Sequence, residues 1–142
     1  MSASTIADAL VTMLSAASSF GTSAVAKDYS VMDSCSASCC IVTWRGMTSR
    51  QSTFGPNWER NWTHTIHGFV KDTGDQQALM GRTISFIDNV RAVVEGDPTL
   101  QGTVDNVTDI TGRRDVSAAV RSKAGLVFLP IMIDIASVEY SD

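Results

Sequence analysis

Cys35, Cys39, Cys40, His64 and His67 are the side chains of this chain whose types could do chemistry. A thiolate beside an imidazole is a nucleophile pair, and the same side chains bind zinc. Their spacing supports neither. Cys-x3-Cys-Cys and His-x2-His lack the usual ligand spacing. Nothing nearby in sequence would lower a thiol pKa or orient a base. If the segment holding both histidines is a regular strand, they point to opposite faces. Each then reads as a polar strand residue rather than a catalytic base. Three cysteines in one cluster are an odd number and no disulfide framework. They read as small, reduced core residues. Asp105 and Asp109 are close in sequence, but they fall in a polar strand or turn where solvated acids are ordinary. There is no Gly-x-Ser-x-Gly elbow, no phosphate-binding loop and no dinucleotide fingerprint. The sequence therefore predicts no catalytic residue, no cofactor and no metal, and a protein that is not an enzyme.

The elements that would position these residues follow from periodicity. Ile6, Leu10, Met13, Leu14 and Ala17 recur at helical spacing and predict a helix from about Thr5 to Ser18. Thr5 with Asp8 fits a capping box at its start. Residues 22–34 read as an extended connection. Ser38 to Trp44 reads as a strand apolar on both faces. The stretch from Arg45 to Arg60 carries Gly46, Gly55, Pro56 and a Ser/Thr run, which break any regular period and predict a long loop. A loop of that length in a small domain usually has a job. Phe54 and Trp58 are its large apolar side chains and its candidate interface anchors.

A second strand is expected over Asn61 to Val70. Asp75 is a candidate N-cap, and Leu79, Thr83, Phe86, Ile87, Val90 and Val94 form one stripe of a helix over Gln76 to Glu95. Gly96 is placed to close it, and Pro98 to stop continuation. Thr103 to Thr111 reads as a third strand and Gly112 to Ala124 as a polar, basic loop or short helix. Leu126 to Val138 reads as a fourth strand, in which Pro130 marks an edge position or a bulge. The order α, β, β, α, β, β predicts one α+β domain spanning residues 1–142. Two amphipathic helices would pack on a mostly antiparallel sheet of about four strands. The second and third strands, joined through a helix, could run parallel.

At 142 residues a sizeable core can form without disulfides or metal. The charged fraction of 18% is low for a freely exposed surface, as in a subunit with large buried interfaces. A net charge of −4 argues against a generic nucleic-acid-binding module. Most of the 11 basic residues fall in two stretches: Arg45, Arg50 and Arg60, then Arg113, Arg114, Arg121 and Lys123. They are either solvated loop charges or a docking surface for an acidic partner. No secretory signal and no membrane-spanning stretch are read, so a cytosolic site of synthesis is expected. The sequons at Asn61 and Asn106 carry no weight without a secretory route.

Three segments carry a resemblance. They are Arg60-Asn61-Trp62-Thr63-His64-Thr65-Ile66, the helix exit Val93-Val94-Glu95-Gly96-Asp97-Pro98-Thr99-Leu100-Gln101-Gly102, and the final strand ending Val138-Glu139-Tyr140. Together with the length and element order, they make the chain resemble the tail terminator family of long-tailed bacteriophages. The resemblance spans most of the chain. It implies a virion protein, assembled in the host cytoplasm, that forms a ring, typically a hexamer. Such a ring sits on the last ring of the tail tube, ends tube polymerisation and offers a surface to the head connector or stopper. Its partners would be further copies of itself, the major tail tube protein, the connector, and genomic DNA passing through the lumen without sequence-specific binding. An adaptor or stopper of the same particle is the neighbouring reading. A small cytosolic α+β enzyme or ligand-binding domain is the third.

Overall fold

Alternating side chains over four segments build the four long strands of one sheet, shown by a computed structural model that describes residues 2–17, 25–26, 38–51, 57–72, 74–114, 120–121, 125 and 127–141. The element order is α1 (Ala3–Ala16), β1 (Val25–Ala26), β2 (Ser38–Gln51), β3 (Trp58–Lys71), α2 (Gln76–Gly96), β4 (Asn106–Arg114), β5 (Val120–Arg121) and β6 (Val127–Ser141). The sheet order is β1-β2-β3-β6-β4, with β5 also on β6. The β2–β3, β3–β6 and β4–β6 pairs are antiparallel, and β1 joins β2 in parallel. The chain is thus an α+β domain with two helices on a mainly antiparallel sheet. β3 and β4, joined through α2, run parallel to each other with β6 between them.

Both helices cover one face. Ile6, Leu10 and Leu14 of α1 are fully buried, as are Val90 and Val94 of α2. They pack in one core with Cys40, Val42, Trp62, Ile66, Val70, Ile131, Ile133 and Ile135. These sheet residues share a face because cross-strand partners and i, i+2 neighbours point the same way. The α2 stripe read from the sequence is the buried one: Leu79, Thr83, Phe86, Val90 and Val94. Close approach of α2 to the sheet depends on Gly68 of β3, where an added Cβ would overlap the Phe86 ring.

The expected long loop over Arg45 to Arg60 is largely absent. β2 runs on to Gln51 and β3 begins at Trp58, so the two strands pair down to Gln51↔Trp58. Two physical causes hid this. Ladder hydrogen bonds are made by the backbone and form under Ser, Thr and Arg as readily as under apolar residues. And a bulge between Trp44 and Gly46 inserts Arg45, shifting the alternation by one. Trp44 pairs with His64 and Met47 with Trp62, so Trp44 and Met47 share a face despite odd spacing. Phe54 lies outside the described residues.

Other boundaries also differ. Ser2, not Thr5, caps α1: its hydroxyl accepts from the Thr5 N–H at 3.2 Å. Asp75 caps α2, accepting from the Gln77 and Ala78 N–H groups. Gly96 is the last residue of α2 rather than a left-handed cap. The left-handed residues come later, at Leu100 (φ 48°), Gln101 (φ 58°) and Gly102 (φ 76°). Asp97 holds that turn, accepting from the Thr99 hydroxyl at 2.7 Å and the Gln101 N–H at 3.0 Å. The third long strand spans Asn106–Arg114 instead of Thr103 to Thr111, and Val120–Arg121 is a short strand inside the expected loop. Pro130 meets Phe69 on the β3 side; on the other side the β4 pairing stops at Ile131 and the β5 pairing at Phe128. The proline thus occupies a gap in the ladder, where a missing N–H costs nothing.

Gly68→Ala should destabilise the fold by about 1–3 kcal/mol through overpacking against Phe86. Urea unfolding measures this, and Phe86→Leu in the same chain should recover part of the loss. An unchanged midpoint for Gly68→Ala would contradict the packing described.

Candidate functional site

Past the row that joins Trp44 and His64, β2 and β3 continue as an arm of the sheet, paired with each other and, through β3, with β6 as far as Ser141. On its helix-side face Trp44, Met47 and Trp58 are 55%, 44% and 41% exposed. Trp62, on the same face, is buried in the core and forms the base of this apolar strip. Trp58 is the anchor named from sequence. Trp44 and Met47 were missed because their common face appears only after the bulge at Arg45 is known. A Gly placed two residues after the last strongly apolar strand position, as Gly46 is after Trp44, was the available signal for a bulge.

The basic residues singled out in sequence do not form one patch. Arg60 and Glu139, cross-strand partners on the helix-side face, form an ion pair of 3.0 Å. Arg50 and Glu59, partners near the arm's tip, form another of 3.1 Å. On the face turned away from the helices, Arg45 of β2 and Arg113 of β4 converge on Asp134 of β6. Their Nη1 atoms lie 2.9 and 3.3 Å from the same Oδ2. The other carboxylate oxygen accepts from the Thr65 hydroxyl of β3 at 2.7 Å. Four adjacent strands are thereby tied together across one face. Nearby, the His67 ring bonds the Thr43 hydroxyl at 3.1 Å. Exposed ion pairs contribute only about 0–1 kcal/mol each, so this network's main effect is to fix where the charges sit. Arg114 is exposed and forms no salt bridge among the described residues. Arg121 lies in β5, its backbone paired with Val127. Lys123 is outside the described residues.

The candidate chemical residues are separated. Cys39 and Cys40 are buried on opposite faces of β2. His64 lies on the helix-covered face and His67 on the other. Cys39 and His64 therefore do not meet, and Cys35 lies outside the described residues. No group of three or more His, Cys, Asp or Glu side chains that could hold a metal occurs among the described residues. No helix of the described residues is long and apolar enough to cross a membrane.

His64 has a structural task instead. Its Nε2 lies 3.0 Å from the Ala3 carbonyl and pins the first turn of α1 to β3. A carbonyl only accepts, so Nε2 carries the proton. Burial pushes the His64 pKa below its ordinary value of 6.5, opposed in part by the bond to Ala3. The unfolded chain therefore binds a proton below about pH 6.5 that the folded chain refuses. Stability from this residue is complete above that pH and declines as pH falls toward the lowered folded value, by at most about 1.4 kcal/mol per pH unit. Urea unfolding at pH 7.5 and 5.5 should show the decline. A His64→Gln variant, which keeps a donor toward Ala3, should lose that part of the slope, and equal slopes in both proteins would contradict the assignment. Compared with known proteins, the chain matches no protein-family model and no curated sequence.

Proposed function

We propose that this chain is a ring-forming structural subunit of a phage tail, acting as the terminator at the head-proximal end of the tail tube. The observation that carries the reading is the pair of free margins of the sheet. On one side β1 covers only Cys40 and Ile41, leaving Val42 to Gln51 of β2 without a further strand among the described residues. On the other, β4 from Asn106 to Arg114 pairs with β6 and with no second strand among the described residues, although its Val107 N–H donates to the Pro98 carbonyl at 2.8 Å. Free edges invite strand pairing with another chain unless they are covered. A β2 edge meeting the β4 edge of the next copy is a heterologous contact, and such contacts close into rings when the rotation allows.

The exposed strip of Trp44, Met47 and Trp58 supplies anchors of the type that dominate interface energy. Its exposure beyond the helix-covered rows of the sheet suits a contact with the next subunit or the tube end. The low charged fraction and net charge of −4 suit a ring through which DNA slides without being held. The sequence resemblance gives the assembly its identity: tail tube protein on one side, connector on the other.

Light scattering of the purified protein across concentrations, with negative-stain imaging, tests the reading. Closed rings, typically hexameric, are expected. Trp44→Ser with Trp58→Ser should leave the monomer folded, with an unchanged circular dichroism spectrum. Its association should weaken by about 30-fold or more, as loss of roughly 2 kcal/mol of anchor energy implies. A wild-type protein that stays monomeric and also fails to bind purified tail tubes would overturn the proposal. Binding to tailless heads instead of tubes would move the role to a neighbouring connector.

A further inference from the structure

Where the arm leaves the helix-covered body, three buried polar side chains lie side by side. Trp62 of β3 and Ser137 of β6 are direct cross-strand partners. His64 follows Trp62 on the same face of β3. The three residues are 6%, 1% and 1% exposed for Trp62, Ser137 and His64. Trp62 Nε1, Ser137 Oγ and His64 Nδ1 have no hydrogen-bond partner among the described residues. A buried polar atom without a partner is expensive, and native proteins leave few of them. Three in adjacent positions on the sheet point to one shared partner that is not among the described residues.

The chemistry of the three atoms selects it. An indole N–H only donates. The His64 Nε2–H is committed to the Ala3 carbonyl, so Nδ1 only accepts. The Ser137 hydroxyl does either. The shared partner must accept from Trp62, donate to His64 and serve Ser137 in whichever role remains. A simple anion has no proton for His64, and a cation has no lone pair for the indole N–H.

We propose that an ordered water molecule is built into this site, bridging Trp62 Nε1, Ser137 Oγ and His64 Nδ1. It accepts from the indole, donates to the imidazole and makes its third bond to the serine. Three bonds are the usual complement of a buried water. The site lies beside the Arg60–Glu139 ion pair, one row further out along the same two strands. Through His64 the water is linked to the Ala3 carbonyl, so the first turn of α1 is fastened to β3 and β6 by a chain of hydrogen bonds. This inference does not depend on the role of the protein in a phage particle.

The test uses the intact wild-type chain. A high-resolution crystal structure should show one water within hydrogen-bonding distance of all three atoms. In solution, the Trp62 indole N–H should give a cross-peak to a long-lived water in nuclear magnetic resonance spectra. Trp62→Phe, which keeps an aromatic ring and removes the donor, identifies that signal by its loss. If the variant does not fold, Trp44→Phe and Trp58→Phe assign the other two indole signals by elimination. Direct bonds among the three side chains, or clear density showing no water between them, would overturn the proposal.

Discussion

The long strands β2 and β6 take their register from β3, and both helices meet it. It is paired along its full length with β6, and from Trp58 to Val70 with β2. Its alternation sets the two faces of the sheet. Trp62, His64, Ile66, Gly68 and Val70 turn to the helices, while Thr63, Thr65, His67 and Phe69 turn away. Gly68 lets the Phe86 ring reach the sheet, and His64 holds the first turn of α1. Removing an apolar contact from this strand would therefore disturb both the helix layer and the strand register. An antiparallel sheet can be covered on one face and left polar on the other, but here the second face also buries Cys39, Ile41, Phe69 and Phe128, and its polar network lies beyond them.

The covering stops before the strands do. α1 and α2 bury the inner rows of the helix-side face, and beyond them the hairpin carries Trp44, Met47 and Trp58 into solvent. Exposed aromatic side chains on a strand pair with a free edge are costly for an isolated subunit and useful for one that assembles. On the opposite face, Arg45, Thr65, Arg113 and Asp134 spread a bonded network over four strands. Paired charges of this kind leave a surface polar without making it strongly basic. Both features fit the structural role proposed.

Much of the fold was legible in the sequence, because helix stripes and the long final strand are written in apolar periodicity. The α2 stripe and the N-cap at Asp75 needed nothing more. What escaped was the arm. The Arg45 bulge breaks the two-residue period, and the hydrogen bonds that continue β2 and β3 leave no mark in side-chain polarity. For the same reason Trp44 and Met47 did not announce a shared face. The grouping of Arg45 with Arg113 was illegible too. They lie far apart in the chain, and only the strand order β2-β3-β6-β4 brings both to Asp134. Gly96 misled in a different way: the turn after α2 is held by Asp97 and takes its left-handed residues further on.

Amide hydrogen exchange followed as a function of protein concentration addresses the central claim, that the free margins of the sheet are where copies of this chain meet. Exchange is read residue by residue along Val42 to Gln51 and Asp109 to Arg114, past the Val107 N–H that the Pro98 carbonyl already holds. The account predicts that outward-facing amides of both edges exchange freely in dilute protein and become protected together as concentration rises, while β3 stays protected throughout. Edge amides that exchange at the same rate at every concentration, in protein that has nonetheless assembled, would contradict it.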